Sequence, residues 1–143
     1  MKGNWWILAV AAVLALVILR VRGPSVAPAP AGFDPAMTLA AAGELAAGGR
    51  KPVLVFATAD WCGPCRALKK GALADARVIG LVRDRTIPVY MDMTSASTVP
   101  AGAESLNITG IPALILLRDG KEVARLVGAV PAEQVAAWLE QET

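Results

Sequence analysis

The chain has 143 residues, 55% of them hydrophobic and 18% charged, with two cysteines, no histidine and a formal net charge of +2. A structural zinc site needs four ligands, usually two Cys-x-x-Cys pairs or one pair plus two histidines, so an intrachain site of that kind is excluded. From Phe33 onward 11 basic residues face 12 acidic ones, so the positive charge belongs to the first 32 residues and leaves no basic footprint for nucleic acid.

Residues 1–22 differ in composition from the rest. Trp5 to Leu19 is unbroken apolar sequence, and between Asn4 and Val21 only Arg20 interrupts it. As a helix this stretch is roughly 27 Å long, enough to span a bilayer if Arg20 snorkels, with Trp5 and Trp6 as interfacial anchors. A cleavable signal is the alternative, since Lys2 makes a short positive start and Ala27-Pro28-Ala29 has a small-x-small form. Pro30 follows that site and Arg20 and Arg22 follow the apolar run, so we read residues 1–22 as an uncleaved signal-anchor. Positive charges on both sides leave its orientation unsettled by charge. Residues 23–32, with Pro24, Pro28 and Pro30, read as an extended Pro/Ala-rich linker. Residues 33–143 have the length of one small domain.

Within that domain, Asp34-Pro35 reads as the start of a helix carrying Met37, Leu39 and Leu45 and stopping at Gly48-Gly49. Lys51-Pro52 starts a central apolar strand running to Thr58. A helix beginning at Cys62 carries Leu68 inward, with Arg66, Lys69 and Lys70 toward water. Ala76 to Val82 reads as helical, and Ile87 to Met91 as a short strand apolar on both faces, suited to a sheet covered by helices. Pro100 to Leu106 reads as a further helix. Strands Ala113–Arg118 and Glu122–Val127 are joined by Asp119-Gly120, a type I′ hairpin signal. Pro131 opens a last helix with Val135, Trp138 and Leu139 on one face. The alternation implies an α/β fold with a mixed central sheet.

The chemistry concentrates in Trp61-Cys62-Gly63-Pro64-Cys65, which follows the apolar run Val53-Leu54-Val55-Phe56. A strand leading through a short loop into a helix puts the first cysteine at the helix N-terminus, where free N–H groups and the dipole favour a thiolate. The second, one turn on, is close enough to form a small disulfide ring. Haem attachment of the c type requires histidine after the second cysteine, where Arg66 stands. A structural disulfide across so short a loop would stabilise little. The pair reads as a reversible two-electron thiol–disulfide couple.

Two separated segments extend this to a resemblance. Val53–Asp60 leading into Trp61–Cys65 resembles the active-site strand and loop of thioredoxin, and Ile108-Thr109-Gly110-Ile111-Pro112-Ala113 is similar to the segment in which that family holds its cis-proline. Asp119-Gly120 and Val127-Gly128-Ala129 continue the likeness, which runs from about Pro52 to Gln141. Lys51-Pro52, Ala59-Asp60-Trp61 and Met91-Asp92-Met93-Thr94 are similar to the C-terminal domain of transmembrane thiol–disulfide interchange reductases.

The resemblance implies a thioredoxin fold and a protein-disulfide reductase with Cys62 as nucleophile and Cys65 as resolving thiol. Trp61, Gly63 and Pro64 would shape the active-site loop. Ile111, cis-Pro112 and Gly128 would complete a substrate-docking patch. It further implies disulfide-bearing protein substrates, such as haem-attachment cysteines of c-type cytochromes or mispaired secreted proteins. With no motif for a nicotinamide or flavin and no metal site expected, electrons would come from a membrane thiol donor. The domain would lie outside the cytoplasm, at the inner membrane. A disulfide oxidase or isomerase, or a tethered client-binding chaperone module, is the alternative. The chain also departs from the family: Phe56 and Lys69 stand where acids that accept the proton of the second cysteine are found, and Lys70-Gly71 stands where a proline kinks the helix.

Overall fold

The computed structural model describes residues 9–14, 28–95 and 100–143. Residues 9–14 are helical. The remainder of the expected anchor and residues 23–27 of the expected linker lie outside the described residues, among which no helix is long and apolar enough to cross a membrane.

The chain order is α1 (Leu39–Ala47), β1 (Val53–Thr58), α2 (Gly63–Lys70), α3 (Ala76–Arg85), β2 (Ile87–Asp92), β3 (Ala113–Arg118), β4 (Lys121–Val127) and α4 (Ala132–Glu142), with short 3₁₀ turns at Ala72–Ala74 and Glu104–Leu106. The sheet order is β2-β1-β3-β4, with β1 parallel to β2 and antiparallel to β3. β1 is buried along its whole length, which explains its unbroken apolar sequence. Alternation along it sorts the core in two. Val53, Val55 and Ala57 face α1 with Val89, Met91 and Ile115, while Leu54 and Phe56 pack against Leu68, Val78, Val82, Val135 and Leu139 from α2, α3 and α4. This is the mixed sheet between helices that the thioredoxin resemblance implies.

Several boundaries differ from the sequence expectation. The first helix begins at Leu39, capped by the Thr38 hydroxyl, which accepts from Ala41 N at 3.1 Å. The Asp34 carboxylate instead accepts from Ala36 N at 2.9 Å in a local turn, and residue 34 bridges to Val89 at the sheet edge. Both Asp and Thr can cap; the backbone pairing of Asp34 with β2 decides between them. The expected helix at 100–106 is reduced to the single 3₁₀ turn Glu104–Leu106. Pro131 occupies the capping position before α4 rather than its first turn. The end of the linker does not stand free: Pro30 is buried, and Ala29 packs against the cluster around Phe56.

The missing helix proline does not give a continuous helix. Gly71 caps α2, and a Cβ there would lie 3.0 Å from the Ala67 carbonyl oxygen. The break therefore falls at Gly71, and Asp75 caps α3 by accepting from Arg77 N and Val78 N.

Candidate active site

At the C-terminal end of β1 the chain turns through Ala59–Cys62, with Cys62 N donating to Ala59 O at 3.2 Å. Cys62 is the N-cap of α2; its Sγ accepts from Cys65 N at 3.2 Å. Gly63 and Pro64 form the first helical turn, where a missing N–H has no consequence. Cys62 and Cys65 are joined by a disulfide with S–S 2.11 Å. Both sulfur-bearing residues are buried, in a small cluster with Ala59 and Ile111. Gly63 and Pro64 are exposed, and Trp61 is 67% exposed.

The other expected site residues approach from a distant segment. The Ile111–Pro112 peptide bond is cis, in keeping with the resemblance. The Ile111 carbonyl oxygen lies 3.8 Å from Cys62 Sγ. Pro112 is buried, and its carbonyl accepts from Gly128 N at 2.8 Å. Gly128 has φ +103°, a conformation other residues rarely adopt, so the residue type is fixed by the backbone. The structure thus brings Trp61, Cys62, Gly63, Pro64 and Cys65 together in one loop and helix start, with Ile111 against Cys62 and Gly128 tied on through Pro112.

Two features were missed by reading the sequence. The first is a latch on the loop. Thr94 Oγ1 accepts from Asp60 N at 2.8 Å, Thr94 O accepts from Trp61 Nε1 at 3.3 Å, and Thr94 N donates to Asp92 Oδ1 at 2.9 Å. The Thr94 hydroxyl also bonds Asp92 Oδ1, and Arg66 Nη1 donates to Asp60 O at 2.6 Å. The run Met91–Thr94 carried a family likeness, but nothing in its spacing assigned it a task.

The second is a correction. Lys69 does not face water; its side chain is 8% exposed. Its Nζ donates to the Tyr90 hydroxyl at 2.6 Å, sits 5.0 Å from the Tyr90 ring centroid and is 3.9 Å from Asp60 Oδ1. The spacing holds the reason: Cys65, Leu68 and Lys69 share one helix face, and that face is buried. Behind the disulfide, Phe56 is fully buried, with ring centroids at 5.8 Å from Phe33 and 6.0 Å from Tyr90. Thr58, next on the same face of β1, has a buried Oγ1 with no hydrogen-bond partner among the described residues. On β4 the hydrogen-bonded guanidinium of Arg125 holds the Glu122 carboxyl below its usual range, and Glu122 in turn raises Arg125. Glu140 does the same to Arg77.

Comparison with known proteins bears on this geometry. The thioredoxin-like domain family matches residues 39–143. Thioredoxin C-2 of Corynebacterium nephridii is 37% identical over 90 residues, covering 63% of this chain and 78% of that protein. Thioredoxin of Chlamydia caviae is 33% identical over 89 residues, covering 62% and 80% respectively. Among solved structures, the oxidised C-terminal domain of DsbD from Neisseria meningitidis superposes with a TM-score of 0.61 at 28% identity, covering 73% of this chain and 91% of that one.

Proposed function

We propose that this chain, which belongs to the thioredoxin-like domain family, is a thiol–disulfide oxidoreductase running in the reducing direction on protein disulfides. One observation carries the reading: Cys62 and Cys65 are paired at the N-terminus of α2, with the Ile111 carbonyl alongside Cys62. In the reduced enzyme the Cys62 thiolate attacks a substrate disulfide. A Cys62–substrate bond forms and the first substrate sulfur leaves as thiolate. Cys65, deprotonated, then attacks Cys62 Sγ; the enzyme disulfide forms and the second substrate sulfur departs and is protonated. Two electrons pass from the enzyme dithiol to the substrate. A thiol donor restores the dithiol by the reverse exchange.

Cys62 is the attacking group because its sulfur caps the helix and receives the Cys65 N–H, both of which favour a thiolate. Trp61, Gly63 and Pro64 present an exposed rim, and Ile111, Pro112 and Gly128 supply a backbone edge for an extended substrate segment. Residues 1–22 anchor this domain to the inner membrane, residues 23–32 tether it on the extracytoplasmic side, and a membrane thiol protein is the donor. The apolar run Trp5–Leu19 and the likeness to the DsbD C-terminal domain support that placement. The anchor would raise the effective concentration of a membrane donor.

The full-length chain, supplied with a dithiol, is expected to reduce a model protein disulfide. Cys62→Ser abolishes turnover, whereas Cys65→Ser accumulates mixed disulfides because attack proceeds and resolution does not. Retained turnover in Cys62→Ser, with attack lost in Cys65→Ser, would reverse the roles. Labelling of Cys62 by an impermeant thiol reagent in intact cells tests the topology; protection until the inner membrane is opened would refute it.

A further inference from the structure

One turn after Cys65 on α2 the chain holds a largely buried cation. We propose that Lys69, gripped by Tyr90 and Asp60, is a positioning residue that stabilises the thiolate of the Cys62–Cys65 pair electrostatically and so makes the couple more oxidising than the bare dithiol would be. The inference rests on the reading of Cys62 as attacking and Cys65 as resolving thiol, and concerns how the second is deprotonated.

Helical side chains lean toward the N-terminus of their helix, so a residue covers the turn before its own Cα. Lys69 stands four residues after Cys65, and its Nζ is carried back to Asp60, two residues before Cys62. The ammonium is therefore carried back along the face of α2 that holds Cys65, toward the loop before Cys62. It lies almost out of solvent, with 8% of the side chain exposed, where a charge acts through far less screening than on the surface. Burying an ammonium is costly, and an apolar side chain would fill the place with no such cost. The Tyr90 hydroxyl at 2.6 Å, the face of its ring and the Asp60 carboxylate offset that cost and fix the position of the charge.

Cys65 needs such help. It is fully buried beside Ala59 and Ile111, and apolar burial disfavours the thiolate. The neighbouring β1 position on the helix side is Phe56, which cannot take a proton. Besides Lys69, the elements that carry and flank the pair hold Asp60 in the loop, Arg66 and Lys70 on α2, and Tyr90 and Asp92 on β2, the last bonded to Thr94 in the latch. The segments packed from the other side contribute Ile111, Pro112, Ala113 and Gly128, all uncharged. A cation lowers the free energy of the thiolate that Cys65 becomes during resolution, without itself accepting the proton, which leaves through solvent. Stabilising the reduced form raises the reduction potential.

The test uses the full-length chain with Lys69→Met, which keeps the stem and removes the charge, and Lys69→Arg, which keeps the charge. Two quantities are read: the equilibrium with glutathione at pH 7 and the thiolate titration of the reduced protein by its ultraviolet absorbance. Lys69→Met should shift the equilibrium three- to tenfold toward the enzyme disulfide, about 15–30 mV lower, and move the thiolate midpoint up by about one pH unit. Lys69→Arg should stay close to the parent in both. Tyr90→Phe, which frees the ammonium without removing it, should give a smaller shift of the same sign. An unchanged equilibrium and titration in a folded Lys69→Met variant would overturn the proposal, and so would an equal shift in Lys69→Arg. Neither result touches the assignment of the cysteines, which fails separately if Cys62→Ser retains turnover.

Discussion

At one end of the sheet Asp119 and Gly120 turn β3 into β4 with φ of 51° and 72°, and two adjacent residues complete the connection. At the other end the loop Ala59–Cys62 is held by partners 33, 34 and 49 residues away: Thr94 for Trp61 and Asp60, Ile111 for Cys62. The hairpin end is local chemistry, in which a turn type demands residues with positive φ and the sequence supplies them. The active-site end is non-local chemistry, assembled only when the sheet is. A substitution at the hairpin should therefore change stability and leave turnover alone, whereas one around the disulfide should change both, or turnover alone.

The largest effect is expected behind the disulfide. Phe56→Asp would put a carboxylate at a fully buried position between Phe33 and Tyr90 and remove an aromatic from the core. A loss of about 3–5 kcal/mol in chemical denaturation is expected. In the fraction that folds, the new acid stands on the helix-facing side of β1, where it can accept the Cys65 proton, so disulfide reduction per folded molecule should rise near neutral pH. A pH–rate profile identical to the parent's, measured on folded protein, would show that deprotonation of Cys65 does not limit the reaction.

The same contrast governs what could be read from the amino acids alone. The strands, the hairpin, the cysteine pair and its helix were legible because short continuous apolar runs, Asp-Gly and Cys-x-x-Cys are local signals. Cis-Pro112 against Cys62 and the glycine at 128 were legible only through family likeness, since no spacing argument joins residue 62 to residue 111. Lys69 was misread because a lysine is ordinarily solvated, although its i+4 relation to Cys65 placed it on the inward face. Its partners, Tyr90 and Asp60, come from two other elements. The helix start at Thr38 rather than Asp34 was hidden for a similar reason: a single bridge to Val89 claims Asp34 for the sheet edge.

Next in size is the latch. Thr94→Val removes the hydroxyl that accepts from Asp60 N and bonds Asp92, while keeping the branched shape. About 1–2 kcal/mol of stability should be lost, as a hydrogen-bonded hydroxyl usually contributes about that much. Turnover should fall several-fold because Trp61 and Cys62 are less well held. The reduction potential should hold, since no charge is moved. A change in potential comparable to that of Lys69→Met would place Thr94 in the electrostatics of the couple rather than in the loop's geometry.

At the hairpin, Gly120→Ala meets no atom within 4 Å, so its cost is confined to backbone strain at φ +72°. About 1 kcal/mol of stability should be lost, with turnover per folded molecule unchanged. A loss of turnover there would contradict the separation of the two ends, because the substituted residue sits at the far end of the same sheet from the disulfide.

The smallest effect is expected at Thr58, the last residue of β1 and the point where the apolar strand meets the active-site loop. Its Oγ1 is buried and has no partner among the described residues, whereas its backbone is engaged: Thr58 O accepts from Met93 N at 2.7 Å. An unsatisfied buried hydroxyl costs free energy, and valine has the same shape without it. Thr58→Val should therefore leave stability unchanged or raise it by up to about 1 kcal/mol. The hydroxyl is on the same face as Phe56 and two residues nearer the cysteines, so the variant also tests whether anything polar on that face takes part when Cys65 loses its proton. Turnover equal to the parent's, with stability held or raised, would leave Lys69 as the group on which resolution depends. A slower resolution step in a protein that melts no lower would show that the hydroxyl engages the reduced pair, and would move part of the electrostatic task from α2 to the end of β1.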